Sequence, residues 1–373
     1  MSETEKKETG KLGFGLMRLP RRLFSTDIPQ TKKMVDMFMA AGFTYFDTAH
    51  IYPGSEKATK KALVDRYPRE SFTLATKLFA ALSPTAKMAK QQFYTSLERT
   101  GAGYFDHYLL HSLMGFNYNR YEKLGIWEFA EEQKAKGLIK HIGFSFHDGP
   151  ELLDELLEKH PNVDFVQLQI NYADWENPSV SSRANYEVAR KHGKSIVVME
   201  PVKGGKLANP PEKVRELFDS YAPNMSYASW AIRFAASLDG ILTVLSGMSD
   251  VKQMADNLSY MKDFKPLNDE EREIIRKARE IIGKSSLIPC TGCGYCVEGC
   301  PKNIPIPDIF EAMNKRLGNG LLDEAKRDYG NAVKGKGRAD ECIACGKCEQ
   351  VCTQHIDIIN QLKICSSNFE NIN

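Results

Sequence analysis

The sequence predicts an α/β protein: a (β/α)8 barrel, also called a TIM barrel, followed by a smaller, mainly α-helical domain. Eight strand-like apolar runs alternate with amphipathic helical patterns over most of the chain, as βα units do in a barrel. Eight of the nine cysteines then fall in two runs of identical spacing near the C-terminus. We therefore expect a barrel domain at 1–283 and a cysteine-rich domain at 284–373.

The predicted strands are apolar runs, each followed by a helical pattern. They lie at Lys11–Met17, Thr44–Ala49, Phe72–Leu78, Tyr104–His111, His141–His147, Phe165–Tyr172, Ser195–Pro201 and Gly240–Met248. An open, doubly wound sheet is the alternative, but no G-x-G-x-x-G motif follows the first strand to support it.

The predicted helices carry an apolar stripe at helical spacing, and several stop at a glycine, which adopts the positive φ of a helix end (Gly42, Gly101 and Gly137). They lie at Pro29–Ala41, Ser55–Tyr67, Thr85–Thr100, Tyr121–Lys136, Pro150–Lys159, Ser226–Ala236, Val251–Tyr260 and Asn268–Ile282. The last of these leads into the cysteine-rich domain.

Composition excludes several classes of protein. The 373 residues carry a net charge of +2, which gives no reason to expect a nucleic-acid partner or an anionic membrane. No apolar run approaches the ~18 residues of a membrane span, and Met1–Gly10 lacks the apolar core of a signal peptide. We expect a cytoplasmic protein without a membrane partner, in a reducing, anaerobic cell.

The cysteines of the second domain follow the spacing C-x₂-C-x₂-C-x₃-C twice, which is the ligand pattern of a pair of [4Fe–4S] clusters. The fourth cysteine of such a run usually binds the other cluster. One cluster is therefore assigned to Cys290, Cys293, Cys296 and Cys352, and the other to Cys342, Cys345, Cys348 and Cys300. This tail resembles the two-cluster ferredoxins, and the apolar helical pattern within 304–322 resembles their α-helical dicluster relatives.

Structural zinc is the alternative metal, but it does not explain two runs of four cysteines with Pro301 after the first. Thr353 stands where the second run would normally have proline, a residue that shapes the turn rather than binding iron. Cys365 is left over and is interpreted as a thiol without a role.

Polar residues lie at three adjacent strand ends of the predicted barrel, where such folds place their chemistry. Asp47 and Tyr52 follow the second strand. Lys77 ends the third strand and His111 ends the fourth. An ammonium lowers the pKa of a nearby phenol, and a carboxylate fixes the ammonium. Each residue alone fits a structural role, but together they predict proton transfer to a carbonyl oxygen.

From Lys11 to about Asn257 the chain resembles the aldo/keto reductases. The matching segments are Gly13-Phe-Gly-Leu-Met-Arg-Leu-Pro20, Asp47-Thr-Ala-x-x-Tyr52, Lys77 after Ala-Thr, His111 in Tyr-Leu-Leu-His, and Leu245-Ser-Gly-Met-Ser249 with Asn257-Leu. The resemblance implies that Tyr52 is the general acid/base and that Lys77, paired with Asp47, tunes its pKa. It also implies that His111 positions the carbonyl. Together with the tail, it indicates an iron–sulfur branch of the family.

The resemblance also implies an NADP(H) site across the barrel mouth. It places the binding residues at Ser145, Gln167, Met199, Gly247, Ser249, Gln253 and Asn257. Three features depart from the family pattern. Phe146 replaces the amide of a Ser-Asn pair, Met199 replaces a stacking tyrosine, and Met248 and Gln253 replace cations for the 2′-phosphate. NADH, NADPH and flavin therefore stay open as cofactors, although no flavin motif is visible.

The predicted function is reduction of a carbonyl, or oxidation of an alcohol, with hydride from a nicotinamide, fused to an electron-transfer module. Nicotinamide passes two electrons whereas each cluster passes one, so direct exchange is poor. The clusters would serve a ferredoxin or flavoprotein partner, a flavin in the barrel, or the fold alone. The alternative is an electron-transfer or redox-sensing protein whose barrel binds a ligand or flavin without turnover.

The small-molecule substrate is expected to meet an apolar wall. Five aromatic residues near the predicted strand ends are candidates for that wall, with ordinary packing as the alternative. They are Phe79, Phe116, Tyr118, Tyr121 and Trp175.

Overall fold

The computed structural model describes residues 10–23 and 25–370, and its larger part is a closed barrel of eight parallel strands. The strands, labelled β1 to β8, are Leu12–Gly15, Tyr45–Asp47, Thr73–Leu78, Phe105–Leu113, Ile139–Phe146, Phe165–Gln169, Ser195–Met199 and Ile241–Ser246. Neighbours in the chain pair side by side, and β1 closes the ring by pairing with both β2 and β8. The predicted barrel is confirmed. The expectation for Met1–Gly10 falls, apart from Gly10, outside the described residues.

Side chains alternate between the two faces of each strand, and this alternation decides which of them reach the barrel interior. In β2, Tyr45 belongs to a small apolar cluster shared by several strands, whereas Phe46 belongs to the larger cluster between strands and helices. Asp47, two residues after Tyr45, is therefore on the inner face at the C-terminal end of β2. Gly143 of β5 makes room for Phe165 of β6, because a Cβ there would lie 2.6 Å from the Phe165 carbonyl oxygen.

The barrel helices cover the outer face of the strands. They are Ile28–Ala40, Ser55–Thr59, Ala86–Thr100, Tyr118–Lys123, Ile126–Ala135, Pro150–Lys159, Ser182–Lys191, Glu212–Tyr221, Tyr227–Ala236, Val251–Met261 and Asp269–Gly283. A short antiparallel pair of Arg21–Arg22 and Ser25–Thr26 follows β1 in the chain. In the part of the chain that is described, no helix combines the length and the apolar character of a membrane span.

The helices differ from the predicted ones in two ways. The predicted helix Tyr121–Lys136 is interrupted, because Gly125 adopts a left-handed conformation (φ 59°) between two shorter helices. The predicted helix Ser55–Tyr67 changes to a π-helix at Lys60–Val64. Ser182–Lys191 and Glu212–Tyr221 have no predicted counterpart. In Ser182–Lys191 the buried face consists of small and polar side chains, so the sequence has no apolar stripe that would predict this helix.

The second domain is helical and has its own small core. Its helices are Tyr295–Glu298, Ile306–Asn319, Leu322–Val333, Lys347–Gln350 and Ile358–Phe369. The core combines aliphatic and aromatic side chains of the longer helices with several cysteines. The helical pattern predicted between the cysteine runs is confirmed by Ile306–Asn319.

Polar contacts attach the second domain to the C-terminal mouth of the barrel. Gln354 Nε2 donates to Gln169 Oε1 at the end of β6 (2.9 Å), and Gln354 Oε1 accepts from Lys203 Nζ (3.1 Å). Lys206 Nζ donates to the carbonyl oxygen of Ile288 (2.9 Å). All three contacts are buried or partly buried, so the second domain forms part of the wall around the mouth.

Candidate active site

A cavity of about 590 Å³ opens at the mouth of the barrel, a volume typical of ligand sites. Strand ends, the loops that follow them and a segment of the second domain form its walls. All seven predicted cofactor-binding residues line it, namely Ser145, Gln167, Met199, Gly247, Ser249, Gln253 and Asn257. Asp47, Tyr52 and His111 line it too, whereas Lys77 is fully buried beside Asp47.

Asp47 and Lys77 form a buried ion pair between the ends of β2 and β3. Lys77 Nζ donates to Asp47 Oδ1 and, over 2.8 Å, to the carbonyl oxygen of Thr48. Burial is the largest influence on both pKa values, raising that of Asp47 and lowering that of Lys77, while each partner's charge opposes the shift. Asp47 Oδ2 has no partner among the described residues, so this oxygen can accept a hydrogen bond from a ligand or water.

Tyr52 lies with its ring near the buried ammonium, Lys77 Nζ being 4.9 Å from the ring centroid. Burial raises the pKa of Tyr52 well above 10, and the charges of Tyr295 and Asp47 raise it further. Because burial dominates, the net shift of this pKa is opposite to the lowering by Lys77 that the sequence leads us to expect. The physical reason is that the ammonium donates to Asp47 and Thr48 rather than to the phenol. Tyr52 consequently keeps its proton at neutral pH.

His111 is the fourth of the predicted catalytic residues. Its ring packs edge-to-face against that of Tyr52, with centroids 5.7 Å apart. Burial lowers the pKa of His111 well below 6.5, and the neighbouring Lys77 and His147 lower it further. Its Nδ1 has no hydrogen-bond partner within the described part of the chain. The imidazole is therefore neutral at physiological pH and acts by hydrogen bonding rather than by charge.

The wall formed by β5, β6 and β7 carries hydrogen-bonding groups suited to a carboxamide. Ser145 Oγ accepts a hydrogen bond from the Ser112 amide (2.7 Å), which leaves its own hydroxyl hydrogen to donate. Gln167 Oε1 is buried and has no partner among the residues described. Met199 lies at the end of β7, where its thioether can pad a flat ring. These groups fit a nicotinamide.

Another part of the cavity wall is formed by the loop after β8 and the start of helix Val251–Met261. Gln253 Oε1 accepts a hydrogen bond from the Ser249 amide (2.8 Å). Asn257 Oδ1 accepts one from the hydroxyl of Ser246, the last residue of β8 (2.6 Å). Two cations line the cavity as well, Arg18 and Lys252. No motif in the sequence indicates a role for Arg18, because its approach to this loop is a tertiary contact.

The eight motif cysteines gather into two groups of four. Cys290, Cys293, Cys296 and Cys352 line one small cavity, which we call cluster site I. Cys300, Cys342, Cys345 and Cys348 line another, cluster site II. The fourth cysteine of each run thus lies with the first three of the other run, as the spacing predicts for two [4Fe–4S] clusters.

The donor chemistry of both sites fits such clusters. The four cysteines of each set line a small cavity together. The Gly292 amide donates to Cys290 Sγ (3.4 Å), and Thr353 Oγ1 lies 3.9 Å from Cys293 Sγ. Hydrogen bonds to sulfur are typical around cluster thiolates. Cys365 is buried in the domain core and lines neither site.

Three residues of the second domain line the barrel cavity, and the sequence did not indicate them as members of this site. They are Cys293, Tyr295 and Thr353. The Tyr295 hydroxyl lies 3.4 Å from His111 Nε2. The position of Tyr295 between two cluster cysteines was the sequence feature that could have indicated its membership of the cavity. The cysteine spacing does not show which surface that loop faces.

The predicted aromatic substrate wall is wrong, because none of its five residues lines the cavity. Tyr121 is fully buried and donates from its hydroxyl to the His111 carbonyl oxygen, so it supports β4. Trp175 packs against Tyr186 and Phe234 on the outer side of the barrel. Phe79 touches the site indirectly, by an edge contact with the His111 ring (5.9 Å).

Two family sequence models match the chain. Residues 11–280 match that of the aldo/keto reductase family. Residues 289–356 match that of the 4Fe-4S dicluster domain. The two matches follow one another along the chain and correspond to the barrel and to the part that contains both cluster sites.

Individual relatives are likewise similar either to a long part of the chain or to a short one. An aldo-keto reductase (str7) of Strobilurus tenacellus is 28% identical over 233 residues, 60% of this chain; the chain thus spans 63% of that protein's length. The acetyl-CoA decarbonylase/synthase complex subunit alpha 1 of Methanosarcina barkeri is 35% identical over 74 residues, 20% of this chain and 7% of that one.

Solved structures are similar to the barrel. The holo form of aldo-keto reductase AKR11C1 from Bacillus halodurans has a TM-score of 0.58 at 26% identity, covering 72% of this chain and 91% of that one. An aldo/keto reductase from Klebsiella pneumoniae in complex with NADP and acetate has a TM-score of 0.59 at 18% identity, covering 71% and 90%. At that identity the second similarity concerns the fold.

Substitution of a cluster ligand gives the first test. We expect Cys296→Ala to reduce the iron of anaerobically purified protein from about eight to about four atoms per chain or fewer, because cluster site I loses a thiolate. Iron and acid-labile sulfide would be measured by colorimetric assay. Cys365→Ala is the matched control and should keep about eight, since Cys365 lines neither site. Full iron content in Cys296→Ala would contradict the assignment.

Proposed function

The chain belongs to the aldo/keto reductase family and carries a 4Fe-4S dicluster domain, and from this premise we propose that it reduces a carbonyl, or oxidises the corresponding alcohol, using a nicotinamide cofactor. One observation carries the proposal. Tyr52, His111 and the Asp47–Lys77 ion pair, which come from three separate strand ends, meet at one end of a cavity large enough for a ligand.

The four side chains suit the transfer of one proton. A carbonyl oxygen between the Tyr52 hydroxyl and His111 Nε2 would meet two hydrogen-bonding groups. Tyr52, which is protonated at neutral pH, donates its proton to that oxygen as the carbon gains hydride. Neutral His111 orients the oxygen without competing for the proton. Lys77, close to the Tyr52 ring, stabilises the phenolate that donation leaves.

A bound nicotinamide supplies the hydride. Ser145 and Gln167 would hold its carboxamide, and Met199 would cover one face of its ring. The remaining predicted residues, Gly247, Ser249, Gln253 and Asn257, would follow the nucleotide toward the far end of the cavity. The NADP named in the Klebsiella pneumoniae structure supports this type of cofactor. Since Gln253 is neutral, we propose no strong preference for the 2′-phosphate.

The clusters would connect this chemistry to a redox partner. Cys345 of cluster site II is exposed, whereas Cys293 of cluster site I lies in the wall of the barrel cavity. We therefore propose that a ferredoxin or flavoprotein exchanges electrons at cluster site II. The position of Cys293 also favours a second candidate function, redox sensing, in which the barrel binds a ligand without turnover.

Loss of the Tyr52 hydroxyl distinguishes the two functions. We expect Tyr52→Phe to lower the rate of NAD(P)H-dependent aldehyde reduction about 10²–10⁴-fold, because the proton donor is removed. Dithionite reduction of the clusters, followed by electron paramagnetic resonance, should be unchanged. Tyr172→Phe is the matched control, since the Tyr172 hydroxyl is also buried, has no partner in the described residues and lies outside the cavity. Undiminished turnover in Tyr52→Phe would refute the proton-donor role, and absence of turnover in the wild type would favour sensing.

The pH dependence of catalysis follows from the two shifted groups. Because its pKa is lowered, His111 stays neutral as pH falls to 6. Because its pKa is raised, Tyr52 stays protonated as pH rises to 9. We expect kcat/KM for aldehyde reduction to be flat between about pH 6 and 9, with circular dichroism confirming the fold at each pH. An inflection near 6.5 would show an ordinary histidine instead.

The neutral side chain of Gln253 gives a test of cofactor preference. We expect Gln253→Arg to tighten NADPH binding about 10- to 150-fold, the effect of a hydrogen bond to a charged group, while NADH binding changes little. Dissociation constants would be measured by anaerobic titration. Gln91→Arg makes the same change of charge on an exposed helix outside the cavity and should alter neither constant. Equal tightening of NADH and NADPH would place the 2′-phosphate elsewhere.

A further inference from the structure

Tyr295 belongs to the cluster-bearing domain but lies in the barrel cavity. It is one of the two residues between Cys293 and Cys296, both ligands of cluster site I, and it begins the four-residue helix Tyr295–Glu298. Gly294 before it has a positive φ of 84°, which turns the chain toward the barrel. The cysteine run thus carries an aromatic side chain from the second domain to the predicted reaction centre.

The Tyr295 hydroxyl sits among the groups that would bind a substrate oxygen. It lies 3.4 Å from His111 Nε2, and the two rings pack edge-to-face with centroids 6.3 Å apart. The same hydroxyl interacts with that of Tyr52. A phenolic oxygen therefore already contacts both residues between which the carbonyl oxygen would be placed.

The segment around Tyr295 is held on two sides. On the barrel side, Arg18 Nη2 donates to the carbonyl oxygen of Thr291 (2.9 Å). Gly204 allows this approach, since a Cβ there would lie 2.2 Å from the same oxygen. On the other side, the neighbouring cysteines belong to cluster site I. With both ends fixed, adjustment at Tyr295 is confined to its side chain and the short turn that bears it.

We propose that the Tyr295 hydroxyl occupies the position of the substrate's carbonyl oxygen, and that a substrate must displace it from His111 and Tyr52 to bind. This inference rests on the proposed carbonyl reduction. Its consequence is that the cluster-bearing segment controls access to the reaction centre: Tyr295 competes with the substrate oxygen, and its ring forms part of the wall that the substrate meets. Tyr295 is accordingly a residue that sets affinity for carbonyl compounds rather than a proton donor.

The test compares Tyr295→Phe with the wild type, using 4-nitrobenzaldehyde as the carbonyl probe. Removal of the competing hydroxyl should lower KM about 2- to 10-fold, the effect of one net hydrogen bond, with kcat within about twofold of wild type. A binding measurement independent of turnover uses acetate, whose carboxylate oxygens can accept from His111 and Tyr52. Its dissociation constant, measured calorimetrically with NADP present, should fall by a similar factor.

The controls separate folding, function and inference. Iron content near eight atoms per chain shows that the variant keeps both clusters. If Tyr295→Phe loses iron, the Tyr295→Leu variant, which lacks the same hydroxyl, is used in its place. A lower kcat at unchanged KM would overturn the inference, because Tyr295 would then assist the reaction. Unchanged KM and unchanged acetate binding would overturn it too. If the wild type reduces no aldehyde, the proposed function fails, and the acetate constants alone decide the inference.

Discussion

The closed ring of hydrogen bonds among eight parallel strands is the constraint on which the site depends. Because Asp47 pairs in register with Ala75 and Lys77 with Leu109, the ends of β2, β3 and β4 are staggered by fixed amounts. Strand alternation then turns Asp47, Lys77 and His111 to the inner face. The three side chains meet because register and alternation direct all of them into the barrel interior. The loop after β2 adds Tyr52.

Burial determines the chemistry of the residues so assembled. A charge buried inside the barrel is costly unless it is paired, which is why Lys77 bonds to Asp47 and to a backbone carbonyl. The same burial holds His111 neutral and Tyr52 protonated. A neutral hydrogen-bonding pair beside a fixed ammonium suits a reaction in which negative charge develops on oxygen.

The second domain contributes residues to the cavity of the barrel. Its cysteines place cluster site I at the cavity wall, and Tyr295 projects from that site to the catalytic groups. Buried polar contacts through Gln354 and Lys203 fix the domain against the end of β6. The segment that contributes Cys293 and Tyr295 therefore belongs both to cluster site I and to the wall of the barrel cavity.

The sequence by itself determined the eight strands, the barrel, the cluster cysteines with their crossed grouping, and seven candidate cofactor residues that line the cavity. Periodicity and motif spacing are local properties, so they can be read along the chain. The tertiary structure alone decided that Tyr295 and Cys293 enter the cavity, that Tyr121 and Trp175 stay out of it, and that the pKa of Tyr52 is raised. These depend on how a second domain docks and on how much water is excluded, which are properties of the assembled molecule that no local pattern records.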